Sequence, residues 1–371
     1  MEVKMVYKVE YRIIQQFMED CFKCVGVPEE DAKVCAEVLI AADLRGIDSH
    51  GIGRLKPIYI DRIKSGQINP VTNISVVRET FTTAVVDGNN GMGHVVAKKS
   101  MEIAIKKAKE YGLGMVVVRN SNHFGIAGYY ALMAVENDMI GICGTNARPS
   151  IAPTFGVENM LGTNPLTFGI PSDEPFPFLL DCATSIIQRG TVEVYSRLKK
   201  KLPEGWVIGE NGESKTDPDE VLKDMLEGKA ALLPLGGFGE KMGGHKGYGY
   251  ATVVEILSSA LQQGAFLWGL SGIENGKKVP YRVGHFFIAI NVEAFTEVEK
   301  FKKTVGEILR ELRNSKKAPG YDRIYTAGEK EHYVIQKRMK EGIPIDEEEQ
   351  KDIISLKKEF GLLQYNFDFE K

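Results

Sequence analysis

The residues with the clearest chemical potential lie together in the segment Asp48–Arg54. Within seven residues this segment places the hydroxyl of Ser49, the imidazole of His50 and the guanidinium of Arg54. An imidazole gives a proton to a reacting oxygen, or takes one from it, near neutral pH. A guanidinium holds a carboxylate by two parallel charge-assisted hydrogen bonds. These groups predict a site that handles a small carboxylic acid bearing a keto or hydroxy group.

The pair Ser49 and His50 has a second interpretation, as the nucleophile and base of a hydrolase. Side chains of adjacent residues in an extended segment point to opposite faces, which makes a poor nucleophile–base pair. The sequence also contains no G-x-S-x-G motif, the mark of a nucleophile elbow. We therefore predict a relay in which His50 meets the substrate and Ser49 orients a neighbour. A polar loop that only satisfies helix carbonyls explains the spacing equally well.

A second histidine follows the end of a predicted strand. Ser121–Gly125 comes directly after the apolar run Met115–Arg119, which we interpret as a strand. Ligands in α/β proteins usually bind beyond the carboxyl ends of strands. His123 is therefore a second candidate acid, base or ligand contact, and we favour this over a loop histidine bonded only to backbone.

Two polar turns and an acid in an apolar run add further candidates. The turns Gly144–Ser150 and Leu161–Pro165 lie at predicted strand ends, where N–H groups and hydroxyls can bind carboxylate or phosphate oxygens. Asp181 ends the apolar run Phe178–Leu180, so its carboxylate needs a hydrogen-bond partner. A catalytic histidine, a cofactor ribose and a neighbouring loop are equally good partners.

The densest glycine cluster of the chain precedes an apolar helix predicted over 250–262. The runs Gly236–Gly239 and Gly243–Gly249, with Lys246 among them, predict a phosphate or pyrophosphate site at a helix N-terminus. Gly247 stands where a P-loop has Ser or Thr, so no Mg²⁺ ligand is in place. A flexible glycine loop is the alternative. The G-x-G-x-x-G fingerprint of dinucleotide-binding folds is missing, so residue chemistry alone names no cofactor.

The elements that must position these residues are helical at both ends of the chain and strand-rich between. Apolar periodicity predicts two helices within 11–45 and a helical, charged tail over 330–371. Strand and helix patterns alternate over 82–145, and a strand over 283–292 precedes a helix over 297–314. The simplest assembly packs the terminal helices together as one domain beside a central α/β domain. The alternation alone suggests a doubly wound parallel sheet.

Composition excludes several classes of function. The chain has 371 residues, more than one ordinary core accommodates, and a net charge of only −3, which gives no sign of nucleic-acid or membrane-surface binding. We find neither an apolar run of the roughly 18 residues that span a bilayer nor a signal peptide. Five cysteines argue against a disulfide framework, and their one C-x-x-C lacks a second pair for zinc. We therefore expect a cytoplasmic protein without a metal, nucleic-acid or membrane partner.

Taken in order, the motifs resemble the malate/L-lactate dehydrogenase superfamily that lacks a Rossmann fold, most of all its archaeal malate dehydrogenases. The similarity covers essentially the whole chain and rests on the blocks Asp43–Gly51, Asn122–Gly125, Gly162–Pro165, Asp181–Ser185 and Gly244–Gly247. It implies an α/β (α+β) fold: a non-Rossmann NAD(P)-binding domain with a mainly antiparallel mixed sheet, plus a helical domain built from both termini. We expect the helical domain to comprise 1–75 and 296–371, and the α/β domain, 76–295, to bind NAD(P) and substrate.

The resemblance also implies roles for individual residues. His50 corresponds to the family's proton donor, with Ser49 and Asp181 as its relay partners. Arg54 corresponds to the ligand of the substrate carboxylate. His123 corresponds to a residue at the nicotinamide that has the acid/base role in some relatives.

The remaining implied contacts divide into substrate and cofactor positions. The substrate contacts correspond to Thr163 and Asn164. The cofactor contacts correspond to His123, Asp181, Ala183, Thr184, Arg189, His245, Lys246, Gly328 and Glu329.

The expected activity is hydride transfer between NAD or NADP and a small 2-oxo/2-hydroxy acid, malate/oxaloacetate first. Within the same family, sulfolactate, L-lactate or a cyclic imino acid are alternative substrates. From other classes, a hydrolase using Ser49 and His50 and a non-catalytic nucleotide-binding scaffold stay open. The resemblance further implies a homodimer and a place in the tricarboxylic acid cycle.

Overall fold

A computed structural model describes residues 6–370 of the chain. Its α-helices are α1 (Tyr11–Cys24), α2 (Glu29–Leu44), α3 (Asp61–Lys64), α4 (Gly93–Tyr111), α5 (Ala127–Val135), α6 (Arg189–Arg197), α7 (Pro218–Glu227), α8 (Gly244–Leu257), α9 (Val298–Asn314), α10 (Glu329–Glu341) and α11 (Glu347–Phe360). Its strands are β1 (Tyr7–Val9), β2 (Ser75–Glu79), β3 (Thr83–Asp87), β4 (Leu113–Ser121), β5 (Met139–Thr145), β6 (Leu166–Ile170), β7 (Phe178–Cys182), β8 (Val207–Gly209), β9 (Ala230–Leu232), β10 (Ile273–Glu274), β11 (Lys277–Lys278), β12 (Val283–Asn291) and β13 (Ile343–Ile345). No helix within the described range is long and apolar enough to cross a bilayer.

A seven-stranded sheet has the order β2-β3-β4-β12-β5-β6-β7. Within it β3 and β4 are parallel, and every other neighbouring pair is antiparallel. This confirms the mainly antiparallel mixed sheet that the resemblance implies, and the doubly wound parallel sheet suggested by alternation is wrong. The physical reason is β12, which comes from far along the chain, enters between β4 and β5, and pairs antiparallel with both.

Helices cover both faces of this sheet. Val116 and Val118 of β4 pack into the core that α4 and α5 share with the sheet. Val117, which lies between them, packs instead with Val254 of α8. This alternation follows from the two-residue period of a strand, and it explains why β4 is apolar at consecutive positions.

A second large core joins residues from the two ends of the chain. Side chains of α1, α2 and α11 share this core, and β1 pairs antiparallel with β13. Helix α9 forms ion pairs with the loop after β6, among others, through Arg310 with Asp173 (2.9 Å) and Arg313 with Glu174 (2.6 Å). The domain bounds given above stay a prediction.

The start of α11 shows how the sequence sets a helix boundary. The Asp346 carboxylate accepts hydrogen bonds from the N–H groups of Glu348 (2.9 Å) and Glu349 (3.0 Å). The Glu349 carboxylate in turn accepts the N–H of Asp346 at 2.9 Å. This reciprocal capping box satisfies N–H groups that have no partner inside the helix, and it makes Asp346 the N-cap of α11.

His94, near the start of α4, is a buried titratable residue with no hydrogen-bond partner for either ring nitrogen among the described residues. Its ring packs against Tyr59, with centroids 4.5 Å apart, and against Phe22. Burial lowers the pKa of His94 to about 3. The imidazole is therefore neutral in the folded protein throughout the physiological pH range.

We expect His94→Leu to stabilise the protein more at pH 5 than at pH 8. In the unfolded chain His94 has a pKa near 6.5, so the unfolded state takes up a proton that the folded state refuses. The stability of the wild type therefore falls as pH falls below about 6.5, and leucine removes this loss. The difference in unfolding free energy between variant and wild type should widen by about 2 kcal/mol from pH 8 to pH 5, measured by urea unfolding.

Met101→Leu, in the core of the same helix, is the matched control because it removes no titratable group. Its effect on the free energy of unfolding should be equal at the two pH values. An equal effect of His94→Leu at both pH values would show that His94 takes up its proton as readily in the folded protein as in the unfolded chain.

Candidate active site

His50 and His123 lie face to face at one pocket. Their ring centroids are 5.6 Å apart and their planes differ by 22°. His50 ends a 3₁₀ turn, Asp48–His50, that follows α2, and His123 lies in the loop after β4. The structure thus brings together the two histidines that the sequence predicts as site residues.

The geometry of Ser49 and His50 differs from the prediction. The expectation of opposite-facing side chains is wrong, because Asp48–His50 is a 3₁₀ turn rather than an extended segment. Ser49 Oγ lies 2.8 Å from His50 Nδ1. No carboxylate within residues 6–370 hydrogen-bonds the His50 ring, so the pair lacks the third group of a hydrolase triad. Ser49 orients the imidazole and leaves His50 Nε2 without a protein partner in this range.

Burial lowers the pKa of His50 to about 4, and the nearby charge of Arg54 contributes in the same direction. The His50 imidazole is therefore neutral near pH 7. A neutral imidazole has one nitrogen with a free lone pair, so it can accept the proton of an alcohol at the moment that alcohol is oxidised.

His123 is fixed as one tautomer by two neighbours. His123 Nδ1 accepts hydrogen bonds from the Tyr59 hydroxyl (2.5 Å) and from the N–H of Gly125 (3.3 Å). A nitrogen that accepts a backbone N–H carries no proton, which assigns the proton of the neutral ring to Nε2. Burial and the positive charge at His50 lower the pKa of His123 well below its usual value. His123 therefore acts as a neutral hydrogen-bond donor.

A pocket of about 500 Å³ opens onto both histidines. Residues 145–150 of the predicted polar turn line it throughout, and Thr163 of the second turn also lines it. Arg62, Arg148 and Arg189 bring three guanidinium groups to its wall. The pocket therefore combines proton-transfer groups with a strongly positive wall.

A buried carboxylate holds the two polar turns in place. Glu255 of α8 accepts hydrogen bonds from Asn164 Nδ2 (2.8 Å) and from the N–H of Leu267 (3.0 Å). Asn164 Oδ1 accepts the N–H of Ala147 at 3.1 Å. Both groups of the Asn164 amide are engaged within the protein, and Asn164 does not line the pocket. These bonds make Asn164 a support of the site, and its contact with substrate stays a prediction.

A buried histidine supports the opposite loops. His285 of β12 lies 2.7 Å from Thr145 Oγ1 through Nδ1 and 2.8 Å from Ser121 Oγ through Nε2. Its ring stacks on Phe124 with centroids 4.5 Å apart. His285 therefore ties the loop that carries His123 to the polar turn that lines the pocket.

Asp181 is not in contact with His50, so the predicted relay between them is absent as a direct hydrogen bond. Its carboxylate accepts the N–H of Gly128 (2.7 Å) and the hydroxyl of Thr167 (2.9 Å). Gly128 lies in the first turn of α5, whose N–H groups have no partner within the helix and attract a carboxylate. Burial raises the pKa of Asp181. Asp181 fastens α5 to the sheet.

The predicted cofactor residues separate into two groups. His123 and Arg189 line the pocket, whereas Ala183 and Thr184 do not. The Thr184 hydroxyl donates to the Asn164 carbonyl at 2.9 Å, so it supports the second polar turn.

The glycine cluster before α8 is explained by close packing of the backbone. A Cβ on Gly244 would lie 2.0 Å from the Gly237 carbonyl oxygen, a contact that only glycine permits. His245 and Lys246, in the first turn of α8, are exposed and do not line the pocket. Their role in binding a cofactor stays a prediction.

Gly328 and Glu329 begin α10 and also lie off the pocket wall. Gly328 has φ +89°, a left-handed conformation that favours glycine at a helix start. Glu329 is fully buried, pairs with Arg323 and Arg313, and accepts the N–H of Thr326 at 3.1 Å. These contacts account for the buried charge without a ligand.

Arg54 lies beside the histidines but on another cavity. Its Nε donates to the Ser49 carbonyl at 2.5 Å, and it lines a cavity of about 780 Å³ together with Ser49 and Arg197. Within residues 6–370 no carboxylate pairs with Arg54. Ser49 and His50 are consecutive yet line different cavities, so the 3₁₀ turn forms part of the wall between them.

Tyr59, Arg62 and Arg148 are site residues that sequence reasoning missed. The spacing of apolar residues over 55–63 predicts a helix with Tyr59 in a core and leaves Arg62 unremarkable. Tyr59 is indeed buried in the core, and the π-helical turn Leu55–Ile60 also directs its hydroxyl to His123. Arg148 sits inside a polar turn that was singled out for anion binding, which is the one available signal.

The residues on the pocket wall fit a nicotinamide group. Asn159 lines the pocket, and its Oδ1 is buried without a hydrogen-bond partner among the described residues. A carboxamide N–H₂ group would satisfy that oxygen. Arg189 supplies positive charge for a phosphate at the same wall, although it also pairs with Glu193 at 3.0 Å.

Comparison with known proteins shows similarity over nearly the whole chain. Residues 9–354 match the family model described as malate/L-lactate dehydrogenase. Among curated relatives, malate dehydrogenase of Pyrococcus horikoshii is 47% identical over 91% of each chain. L-sulfolactate dehydrogenase of Methanocaldococcus jannaschii is 43% identical over 92% of this chain and 94% of its own. Among solved structures, malate dehydrogenase from Entamoeba histolytica has a TM-score of 0.93 and 50% identity, covering 98% of this chain and 100% of that one.

Proposed function

This chain belongs to the malate/L-lactate dehydrogenase family, and on that premise we propose that it transfers a hydride between a nicotinamide dinucleotide and carbon 2 of a small 2-oxo or 2-hydroxy acid. Family membership makes the protein an oxidoreductase that depends on a pyridine nucleotide. Malate and oxaloacetate are the first substrate pair, because relatives 47% and 50% identical are named malate dehydrogenase.

The observation that carries the proposal is the pair of neutral histidines in one pocket. His50 has a low pKa and an unpartnered Nε2, whereas the N–H of Gly125 fixes the tautomer of His123 and the Tyr59 hydroxyl donates to the same nitrogen. The two rings therefore have different capacities: His50 can take up a proton, and His123 can donate a hydrogen bond. A reaction that removes a proton from an alcohol oxygen and stabilises the resulting carbonyl needs one group of each kind.

The proton steps follow from these capacities. A bound nicotinamide dinucleotide supplies the chemistry of hydride transfer to or from carbon 2. In the oxidation direction His50 accepts the hydroxyl proton, and in the reduction direction protonated His50 returns it to the carbonyl oxygen. Ser49 holds the His50 ring, and His123 Nε2–H donates to the same substrate oxygen or to the nicotinamide carboxamide.

Arg54 is the proposed partner of the carboxylate at the reacting end. Its charge adds to the effect of burial in lowering the pKa of His50, and no carboxylate among the described residues pairs with it, although its side chain lines the neighbouring cavity rather than the pocket of His50. Thr163 supplies a hydroxyl at the wall of the pocket.

Asn159 and Arg189 are the residues that would hold the cofactor at the pocket. NAD and NADP stay equal alternatives. Arg197 and Lys199 are exposed, and each is within ion-pair distance of a carboxylate, at 3.8 Å from Asp346 and 3.5 Å from Asp219. These pairs favour a solvated face over a dedicated site for a 2′-phosphate.

Sulfolactate is the second candidate substrate, because a relative 43% identical over 92% of this chain carries the name L-sulfolactate dehydrogenase. L-lactate and cyclic imino acids remain further alternatives within the family. A hydrolase triad needs a carboxylate that hydrogen-bonds the histidine. Because no carboxylate within residues 6–370 bonds the His50 ring, the structure does not support the hydrolase interpretation.

The test is a panel of 2-oxo acids assayed with NADH and with NADPH by loss of absorbance at 340 nm. We expect oxaloacetate to be reduced with at least one of the two cofactors. Ester turnover without any cofactor would support the hydrolase instead. Binding of NAD(P)H without turnover of any acid would support a scaffold and contradict the proposal.

We expect Tyr59→Phe to lower kcat by about tenfold, because it removes the shorter of the two hydrogen bonds to His123 Nδ1 and leaves only the one of 3.3 Å from the N–H of Gly125. The ¹⁵N spectrum of the His123 ring should change from a single Nε2–H form toward a mixture of tautomers. Tyr129→Phe is the matched control, since its hydroxyl bonds Glu37 on the surface at 3.0 Å. A wild-type spectrum in Tyr59→Phe would contradict the proposed role.

Assembly and location complete the proposal. We propose a homodimer, supported by an exposed apolar surface that includes Val253 and Ile256 of α8 together with Phe266 and Trp268. Light scattering after size-exclusion chromatography measures the mass directly. Cytoplasmic location and a place in the tricarboxylic acid cycle stay predictions.

A further inference from the structure

Two arginines on the pocket wall carry positive charge without a protein partner. Arg62 and Arg148 line the same pocket as His50 and His123. Within residues 6–370, neither guanidinium has an ion pair with a carboxylate. Arg189, the third arginine of the wall, differs because it pairs with Glu193 at 3.0 Å.

Arg62 is held in place by an aromatic ring. Its guanidinium carbon lies 4.1 Å from the centroid of Tyr281, in cation–π contact. Arg62 is half-buried; burial lowers its pKa, and the charges of Arg148 and Arg54 lower it further. Arg148 is exposed to solvent, so only the charge of Arg62 is partly desolvated. An anion between the two guanidinium groups would offset their mutual repulsion, and the pair therefore suits an anionic ligand.

The position of the pair indicates which part of a ligand it would meet. Arg62, Arg148 and Tyr281 also line a smaller cavity of about 310 Å³, which neither histidine lines. Lys278 and Asp61 also line this smaller cavity, and the Asp61 carboxylate pairs with Lys56 at 3.1 Å. The two arginines thus lie on the wall that the histidine pocket shares with the smaller cavity.

We propose that Arg62 and Arg148 form a second anion subsite, which binds the distal charged group of a 2-oxo or 2-hydroxy acid whose reacting end lies at His50. This inference rests on the proposed function and deepens it, because it selects dianionic acids over monoanionic ones. The distal group is a carboxylate or a sulfonate, since both present oxygens that a guanidinium fork binds.

The experiment compares Arg62→Gln with the wild type in kcat/KM for oxaloacetate, for sulfopyruvate and for 2-oxobutyrate, which lacks the distal charge. We expect Arg62→Gln to lose about 10²-fold for the two dianions and at most about twofold for 2-oxobutyrate. Arg62→Lys keeps the charge but not the fork, and it should recover part of the loss. The dianion with the larger wild-type kcat/KM identifies the natural distal group.

Arg282→Gln is the matched control. Arg282 is exposed, follows Tyr281 directly, pairs with Glu274 at 3.6 Å and does not line the pocket. It should leave kcat/KM for all three acids within about twofold of the wild type.

A titration with malonate, an unreactive dianion, followed by calorimetry, gives a readout besides turnover. Arg62→Gln should weaken malonate binding at least about tenfold. An equal loss of kcat/KM for dianions and monoanion, or unchanged malonate binding, would overturn the subsite. Failure of every acid to consume NAD(P)H would instead overturn the proposed function, while the malonate titration still decides for or against the subsite.

Discussion

Replacement of His50 by alanine should lower kcat by about 10²–10⁴-fold, the range typical of a lost general acid or base. The ring faces His123 at 5.6 Å, is oriented by Ser49, and opens onto the pocket. His123 also has a lowered pKa, but its Nε2 already carries the proton of the neutral ring and cannot accept another. Steady-state kinetics in both directions, with malate and with oxaloacetate, measure the effect.

The pH dependence of kcat/KM distinguishes two causes of a lower rate in His50→Ala: loss of the general base and a structural defect. The His50 pKa of about 4 belongs to the free enzyme, so kcat/KM for oxidation should fall as pH falls through that value. The reason is that only the neutral imidazole accepts the alcohol proton. This acidic limb should disappear in His50→Ala, whereas a merely structural defect would lower the rate at every pH.

His332→Ala is the matched control for loss of an imidazole. His332 lies on α10, hydrogen-bonds Gln336 at 2.9 Å and does not line the pocket. It should keep the wild-type kcat. If His50→Ala also kept the wild-type kcat, the acid/base role would pass to His123, whose assigned Nε2–H would then have to be lost during turnover.

Local sequence patterns predicted most elements but not their partners in the sheet. The apolar runs that become β4 and β5 are recognisable because their periodicity and bounding turns are local. Whether their neighbour is parallel or antiparallel depends on β12, which inserts between them from more than a hundred residues further along the chain. No short-range pattern encodes that insertion, so the family resemblance, rather than periodicity, predicted the sheet correctly.

The candidate site likewise contains residues that the sequence predicts and residues that it does not. His50 and His123 were predictable because polar residues among glycines at element ends are rarely needed for packing. Asn164 and Glu329 were assigned to ligands, yet the structure engages both within the protein, and a sequence does not show which polar groups find internal partners. Arg62 was missed for the opposite reason, since an arginine on a helix gives no sign that it lacks a carboxylate.

Gly93→Ala should lower both the free energy of unfolding and the activity, because the added Cβ clashes with the backbone of the loop that carries His123. A Cβ at position 93 would lie 2.2 Å from the His123 carbonyl oxygen and 2.3 Å from that of Asn122. Both oxygens are backbone atoms of the loop that carries His123, so the clash cannot be relieved by moving a flexible side chain. We expect a loss of about 2–4 kcal/mol in urea unfolding, and at least about a tenfold loss in kcat as His123 is displaced.

Gly249→Ala is the matched control, because it also replaces a helical glycine but creates no close contact with other backbone. Gly249 lies inside α8, and a Cβ there meets no atom within 4 Å, so alanine should stabilise the helix by about 0.5–1 kcal/mol. If the free energy of unfolding falls in Gly93→Ala and rises in Gly249→Ala, the close contact between α4 and the His123 loop is the cause of the loss. That contact then contributes both to stability and to the position of His123. If Gly93→Ala kept the wild-type stability but had a reduced kcat, the loop that carries His123 would have moved to make room for the Cβ while α4 stayed in place. The His123 loop would then be the more easily displaced part of the pocket.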